Sequence, residues 1–176
     1  MNDMFQIKNV KVSLKINEIS LNSVLKYLLE NQISFEIKSN YLIIKDKFIY
    51  IFFRSKNNLV NHINITKIPS IEHIKESINF LRDKILKQLF IINESYKIDN
   101  LTAIYDYGKQ IDQLNLIHKV KNTYNIRYNK EKFPGIFIKV ATGTFIIFHT
   151  GKINLVGCQN PSHLPSLFNC LTNILN

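Results

Sequence analysis

A glycine beside a lysine is the first place to look for chemistry in this chain. Gly143, Gly151 and Lys152 lie close together, and a glycine-rich loop ending in Gly-Lys cradles phosphates when Ser or Thr follows. Here the glycine spacing departs from that pattern and Ile153 follows the lysine, so a phosphate loop is excluded. The histidines, His62, His73, His118, His149 and His163, show no His-Glu-x-x-His or other paired-ligand spacing. Cys158 and Cys170 form no metal motif with His163, and two cysteines are too few for a disulfide framework or a four-cysteine zinc site. No nucleophile elbow or paired acidic motif stands out. The chain is expected to be no enzyme and to need no cofactor or metal.

What the residues offer instead is charge. Among 176 residues, 23 are basic and 13 acidic, a formal balance of +10. Such an excess favours a polyanionic partner, either nucleic acid or an anionic membrane surface. Hydrophobic residues make up 45% and charged residues only 20%. That composition supports a real core, in one domain or two small half-domains that share it. The paired expectations are a reduced compartment, no signal peptide at Met1-Asn2-Asp3-Met4 and no membrane-spanning run. Abundant Ile, Asn and Lys beside scarce Gly, Ala and Pro is the bias of an AT-rich coding genome.

The elements that must position any binding residues repeat. Gln6 to Ile16 alternates apolar and polar residues, as a half-buried strand does. Ser20 offers an N-cap to a helix running to Glu30, with Leu21, Val24, Leu25, Leu28 and Leu29 at helical spacing. Strands are expected over Ile33–Ile37, Tyr41–Lys45, Phe48–Arg54 and Leu59–Ile65, with turns at Ser39-Asn40, Asp46-Lys47 and Lys56-Asn57-Asn58. A long helix follows from Pro69, its apolar face marked by Ile71, Ile74, Ile78, Leu81, Ile85 and Leu89. The pattern then restarts. A strand over Tyr96–Tyr107 precedes a helix over Gln110–Lys121 with Leu114, Ile117 and Val120 apolar. Strands over Ile126–Tyr128, Gly135–Val140, Thr144–Phe148 and Ile153–Gly157 lead to a last helix opened by Pro161 or Pro165.

Ile51-Phe52, then Lys56, then Asn58-Leu59-Val60 echoes Ile147-Phe148, Lys152 and Asn154-Leu155-Val156 at a constant offset. A repeat of this kind decides the fold. Each half, 1–92 and 93–176, reads as strand, helix, four strands, helix. The expected fold is α+β, a pseudo-twofold saddle. Its ten strands form one curved antiparallel sheet with the helices on the convex face, which leaves the other face open.

This order and several motifs resemble the TATA-box-binding protein family over nearly the whole chain, most strongly in the second half. Tyr96-Lys97-Ile98-Asp99-Asn100 resembles the family's F-K-I-Q-N strand. Phe133-Pro134-Gly135-Ile136 resembles its F-P-G-L, and Ile147-Phe148 through Gly151-Lys152, Leu155 and Gly157 its I-F-x-S-G-K-x-x-L-x-G. The first half rests on Asn9, Phe52, Lys56 and element order. The resemblance implies a general transcription initiation factor whose concave sheet binds the minor groove of A·T-rich promoter DNA. Pairs of aromatic wedges kink such DNA, as the family is known to do. It places the wedges at Phe133 and Phe148 in the second half and at Phe52 in the first. The first-half partner is Tyr41, or Phe35 under another alignment.

The same resemblance sets Asn9 and Asn100 on the groove floor. It sets Lys139, Lys152 and, in the first half, Lys56 near phosphates. Departures stand beside these matches. Thr102 and Lys11 replace expected valines, as do Asn58 and Asn154, while Val60 and Val156 replace threonines, which should alter base preference. A B-type initiation factor and the RNA polymerase machinery are the implied protein partners. Glu131 is the one acid kept in the loop that meets them. No membrane or small-molecule partner is implied, and the location is the nucleus, or a viral factory or virion if the diverged lineage is a large DNA virus. Two other readings use the same fold: an interaction scaffold that no longer bends DNA, and a sheet that stacks single-stranded bases. If nucleic acid is the partner, affinity falls as salt rises; a salt titration showing constant affinity would remove the electrostatic footprint.

Overall fold

The computed structural model describes residues 4–44, 48–54, 56–86 and 92–176, excluding the side chains of 84–86 and 92–94. Lys45, the Asp46-Lys47 turn, Leu89 and the Ile85 side chain therefore lie outside the described residues. The chain runs β1 (Gln6–Ser20), α1 (Leu21–Glu30), β2 (Glu36–Ile37), β3 (Tyr41–Ile44), β4 (Ile49–Arg54), β5 (Leu59–Ile68) and α2 (His73–Phe80). After a π-helical segment, Leu81–Leu86, come β6 (Ile92–Asp106), α3 (Gln113–Val120), β7 (Asn125–Asn129) and β8 (Phe133–Val140). Then β9 (Gly143–Phe148), β10 (Lys152–Cys158), a 3-10 turn at Pro161–His163 and α4 (Leu164–Leu175) complete it. The strands form one open antiparallel ten-stranded sheet in the order β2-β3-β4-β5-β1-β6-β10-β9-β8-β7. Strand, helix, four strands, helix recurs in both halves.

Two compact units arise, one of Val10–Ile98 and one joining the residues up to Asn9 to Asp99–Asn176. Phe5 explains why the N-terminal residues group with the second repeat. Its ring packs on Phe145 at 6.1 Å, Phe168 at 5.7 Å and Tyr105 at 6.2 Å.

In the unit Val10–Ile98, alternation puts Val12, Leu14 and Ile16 of β1 in the core with Leu42, Ile51 and Ile63 of neighbouring strands. Each such side chain, fully buried, contributes about 1.5–3 kcal/mol. Ser20 caps α1 as expected, accepting from the Ser23 N–H at 3.1 Å. Leu21, Val24 and Leu28 are the buried face of α1. The expected strand from Ile33 is shortened to Glu36–Ile37, because α1 closes with a left-handed residue. Gln32 takes φ 54, its N–H bonds Leu29 O, and the Ile33 N–H bonds Leu28 O at 2.8 Å. That is a Schellman closure, and it commits the Ile33 backbone to the helix. The long helix expected from Pro69 begins at His73 and turns π-helical at Leu81.

In the other unit, α3 buries Leu116 and Val120, while Leu114 is exposed. The helix starts later than periodicity suggests, since Asp112 accepts from the N–H groups of Leu114 and Asn115, both at 3.1 Å. Both late prolines take part in the last helix: Pro161 opens the 3-10 turn and Pro165 sits in the first turn of α4. The β9–β10 turn docks on the loop after β6, with the Tyr107 N–H on Gly151 O at 3.0 Å and the Ile111 N–H on His149 O at 2.8 Å. Gly151 has φ +87, and a Cβ there would stand 2.1 Å from Lys109 O. Backbone cannot yield as a side-chain end can, so Gly151→Ala should destabilise the protein by about 2–4 kcal/mol. Urea unfolding measures it, and an unchanged midpoint would contradict this packing.

Candidate nucleic-acid interface

Strand alternation decides which residues leave the core. On β9, Phe145 and Ile147 are buried while Thr144, Ile146 and Phe148 are not. On β10, Ile153 and Leu155 are buried while Lys152, Asn154 and Val156 face away. Helices α3 and α4 turn their buried faces to the core side, Phe168 of α4 packing on Tyr105, so among the described residues of this unit the second set forms a helix-free face. Phe133, Phe137 and Lys139 of β8 share its parity, as do Asn100 and Thr102 of β6. Cross-strand pairing sets Lys139 opposite Thr144 and Asn125, and Lys152 opposite Asp106.

Phe133, 38% exposed, meets Phe148 with ring centroids 5.7 Å apart and Phe137 at 5.1 Å. Gly135 makes the meeting possible. It pairs directly with Phe148, and a Cβ on it would lie 2.7 Å from the Phe133 ring and 3.2 Å from the Phe148 ring. Pro134 cannot donate a ladder hydrogen bond, and the β7–β8 register slips at this point. Gln113, a residue that sequence reasoning passed over, repairs the local bonding. Its Nε2 donates to Pro134 O at 2.8 Å and to Ile147 O at 3.2 Å, and its Oε1 accepts from the Tyr128 hydroxyl at 3.0 Å. One amide thus holds the residues next to both rings. Only proximity in space reveals it; no spacing in the chain does.

Asn100 is held as firmly. Gly157 bulges from β10 with φ +80, and its N–H donates to Asn100 Oδ1 at 2.8 Å. A backbone N–H can only donate, so the amide orientation is fixed and Nδ2 is left as the outward donor, with Thr102 Oγ1 at 3.4 Å. Asn9 is half-buried on β1. Arg127 is a cation the sequence reading missed. It lines, with Lys139, Phe137 and Val156, a depression of about 360 Å³ on this face. Glu131 is exposed in the β7–β8 turn.

The first-half aromatic pair is reached differently. Tyr41 and Phe52 are direct cross-strand partners with centroids 5.5 Å apart, so Tyr41 occupies the register position of Gly135. Phe35 is half-buried ahead of the short β2. Tyr50 and His62 extend the row, at 5.7 Å from Tyr41 and 5.8 Å from Phe52. Lys11 is half-buried on β1.

The constant-offset echo fails as structural equivalence beyond Phe52, and this corrects the reading of Asn58 and Val60. The first hairpin is longer, with Arg54 paired to Leu59. Lys56 and Asn58 therefore fall in its exposed turn, Asn58 at φ 52. Val60 is fully buried, whereas Val156 is not. By register, Asn64 opposite Tyr50 matches Asn154 opposite Ile146.

Chemistry beyond binding has little to work with here. Burial pushes the Cys158 thiol above its ordinary range and its Sγ donates to Asn160 O at 3.2 Å, which makes it a poor nucleophile. Among the described residues no group of three His, Cys, Asp or Glu side chains could hold a metal, and no helix is long and apolar enough to cross a membrane.

The architecture is an internally duplicated α+β fold built on one open antiparallel ten-stranded sheet. Over 98% of both chains it superposes on the TBP of Methanococcus jannaschii with a TM-score of 0.72 at 22% identity, a likeness of fold. Residues 95–176 match the family model described as transcription factor TFIID, or TATA-binding protein. The TATA-box-binding protein of Pyrobaculum calidifontis is 29% identical over 84 residues, 47% of this chain and 41% of that protein. That of Thermoplasma acidophilum is 24% identical over 106 residues, 58% of this chain and 57% of its own length. The matched segments thus span about half the length of these curated relatives. The second half thus carries the sequence signature of the TATA-binding-protein family model, and the whole chain shares the fold of a TBP.

Gly135→Ala should push Phe133 off Phe148 and crowd Ile146, whose Cγ2 would lie 2.9 Å from the new Cβ, at a stability cost of about 1–3 kcal/mol; the exposed ring can swing aside, the β-branched Ile146 less readily. Nuclear Overhauser contacts between the two rings should disappear while the fold persists; intact ring contacts would contradict the role given to Gly135.

Proposed function

We propose that this protein is a non-enzymatic transcription initiation factor. It takes the minor groove of A·T-rich promoter duplex on the helix-free face and bends it. The observation that carries this reading is the Phe133–Phe148 pair, kept accessible over Gly135 on a face no helix covers. An apolar ring driven between base steps replaces the stacking lost at a kink. Asn100 presents a donor, which suits a groove floor where A·T pairs offer only acceptors. Lys139, Lys152 and Arg127 supply phosphate contacts that position without reading sequence. Tyr41 and Phe52 form the second wedge pair, with a tyrosine hydroxyl entering an otherwise apolar step. Glu131 and its turn are the surface for a B-type initiation factor and, through it, the polymerase.

The exposed turn that holds Lys56 and Asn58, and the burial of Val60, favour a second reading in which the fold serves as a scaffold within a transcription complex without bending DNA. Energy transfer between dyes at the ends of an A·T-rich duplex separates the two. The protein should raise transfer, and Phe133→Ala and Phe148→Ala should each weaken binding about tenfold or more and reduce the bend. Tyr41→Ala should cost less. Binding and bending untouched in both phenylalanine variants would leave the scaffold reading.

A further inference from the structure

The β8–β9 ladder ends at the pair Gly135–Phe148. The next rung outward would join Pro134 to His149, and proline has no N–H to give it. Both carbonyls of that missing rung are met from one short segment instead. The Gln113 amide donates from Nε2 to Pro134 O at 2.8 Å, and the Ile111 N–H donates to His149 O at 2.8 Å. The same Nε2 also reaches Ile147 O at 3.2 Å, so the carbonyls before and after Phe148 are both held. Asp112, between the two donors, fixes the segment by capping α3 at the N–H groups of Leu114 and Asn115. The Tyr128 hydroxyl donates to Gln113 Oε1 at 3.0 Å. An amide bonded at both ends keeps its donors on the carbonyls. All of these residues belong to the unit that contains Asp99–Asn176.

We propose that Ile111–Gln113 is a substitute rung that holds Phe133 and Phe148 against a base step, so that the Gln113 amide sets how far the DNA opens there. The inference rests on the bending reading above. A ring that parts stacked bases works against the stacking it disrupts, and its own backbone must carry that load. Phe133 and Phe148 each stand one residue before the missing rung, where the β8–β9 ladder has run out. Support from β7 is weak at the same place, because its register with β8 slips between Arg127 and Asn129. Strand ends with few backbone bonds open first, and the substitute rung closes this one. Gln113 is half-buried and reaches the rings only through backbone carbonyls, so it is a positioning residue. Asn100 is oriented separately, by the Gly157 N–H. A protein without the Gln113 amide should therefore still hold the duplex and open the step less.

The test uses the full chain and an A·T-rich duplex selected from a random pool. 2-Aminopurine replaces adenine at one step after another, and its fluorescence rises where a step is unstacked. Protein is saturating, so that a change in affinity or stability does not move the signal. The parent should brighten a step that Phe148→Ala leaves dark. Gln113→Met keeps the length of the side chain and removes all three of its hydrogen bonds. It should dim that same step toward the Phe148→Ala level, leave the other labelled positions as in the parent, and weaken binding about three- to tenfold. Tyr128→Phe, which removes only the hydroxyl, should dim the step less. Should Gln113→Met fail to fold by circular dichroism, Tyr128→Phe decides in its place. Parent-like brightness at the step in the folded variant overturns the proposal and leaves the bending reading standing, and so does equal dimming at every labelled position. A parent that brightens no step removes the bending reading and this inference with it.

Discussion

Gly135 has no side chain, and two phenylalanine rings share the space a side chain would fill. Much of the candidate interface follows from that vacancy. With a Cβ at Gly135, Phe133 would have to leave Phe148, and the face would present two separate rings where it now presents one apolar edge. The neighbouring Pro134 gives up a ladder bond, and Gln113 restores order by donating to the carbonyls of Pro134 and Ile147. The aromatic edge is therefore fixed from the helix side of the sheet, by a residue that never reaches the binding face.

The other unit arrives at a similar ring contact without a glycine. Tyr41 lies directly across from Phe52, and Tyr50 and His62 widen the row. Tyr41 and Phe52 meet by direct cross-strand pairing, whereas Phe133 reaches over the empty position at Gly135. A wedge must leave its own sheet to enter a base step, so the second-half pair is better placed for it. The bulges repeat the asymmetry. Gly157 adopts its left-handed backbone freely, while Lys67, beside Ile68 in the corresponding bulge, does so at φ 58 with a side chain attached. Left-handed backbone costs a non-glycine residue on the order of 1 kcal/mol, and the Lys67 ammonium over the Phe48 ring at 3.8 Å offsets part of it.

The strand-helix order is legible in the sequence because alternation and helical spacing are strong wherever one face is buried, as in Val12-Leu14-Ile16 and Leu167-Leu171-Ile174. The second-half aromatic pair is legible because Phe-Pro-Gly combines a ring, a missing donor and a missing side chain in three residues. Register is what the chain conceals. Asn58-Leu59-Val60 copies Asn154-Leu155-Val156 in letters, yet a longer hairpin moves the copy outward and hands its place to Asn64. Hairpin length is set by where the turn closes, and four polar turn residues in a row give no hint of which pair closes it. Gln113 and Arg127 are hidden for a related reason: their importance comes from neighbours distant in the chain, Tyr128, Pro134 and Ile147 for Gln113, 15 to 34 residues away, and Lys139 and Val156 for Arg127.

The central claim is that the helix-free face reads DNA from the minor groove. Replacing A·T pairs of a bound duplex by inosine–cytosine pairs tests it most directly, since the exchange rewrites the major-groove edge and leaves the minor-groove pattern of acceptors in place. Affinity and bend should survive this exchange and should fall when the same pairs become guanine–cytosine. Loss of binding to the inosine–cytosine duplex would place the contact in the major groove and contradict the account.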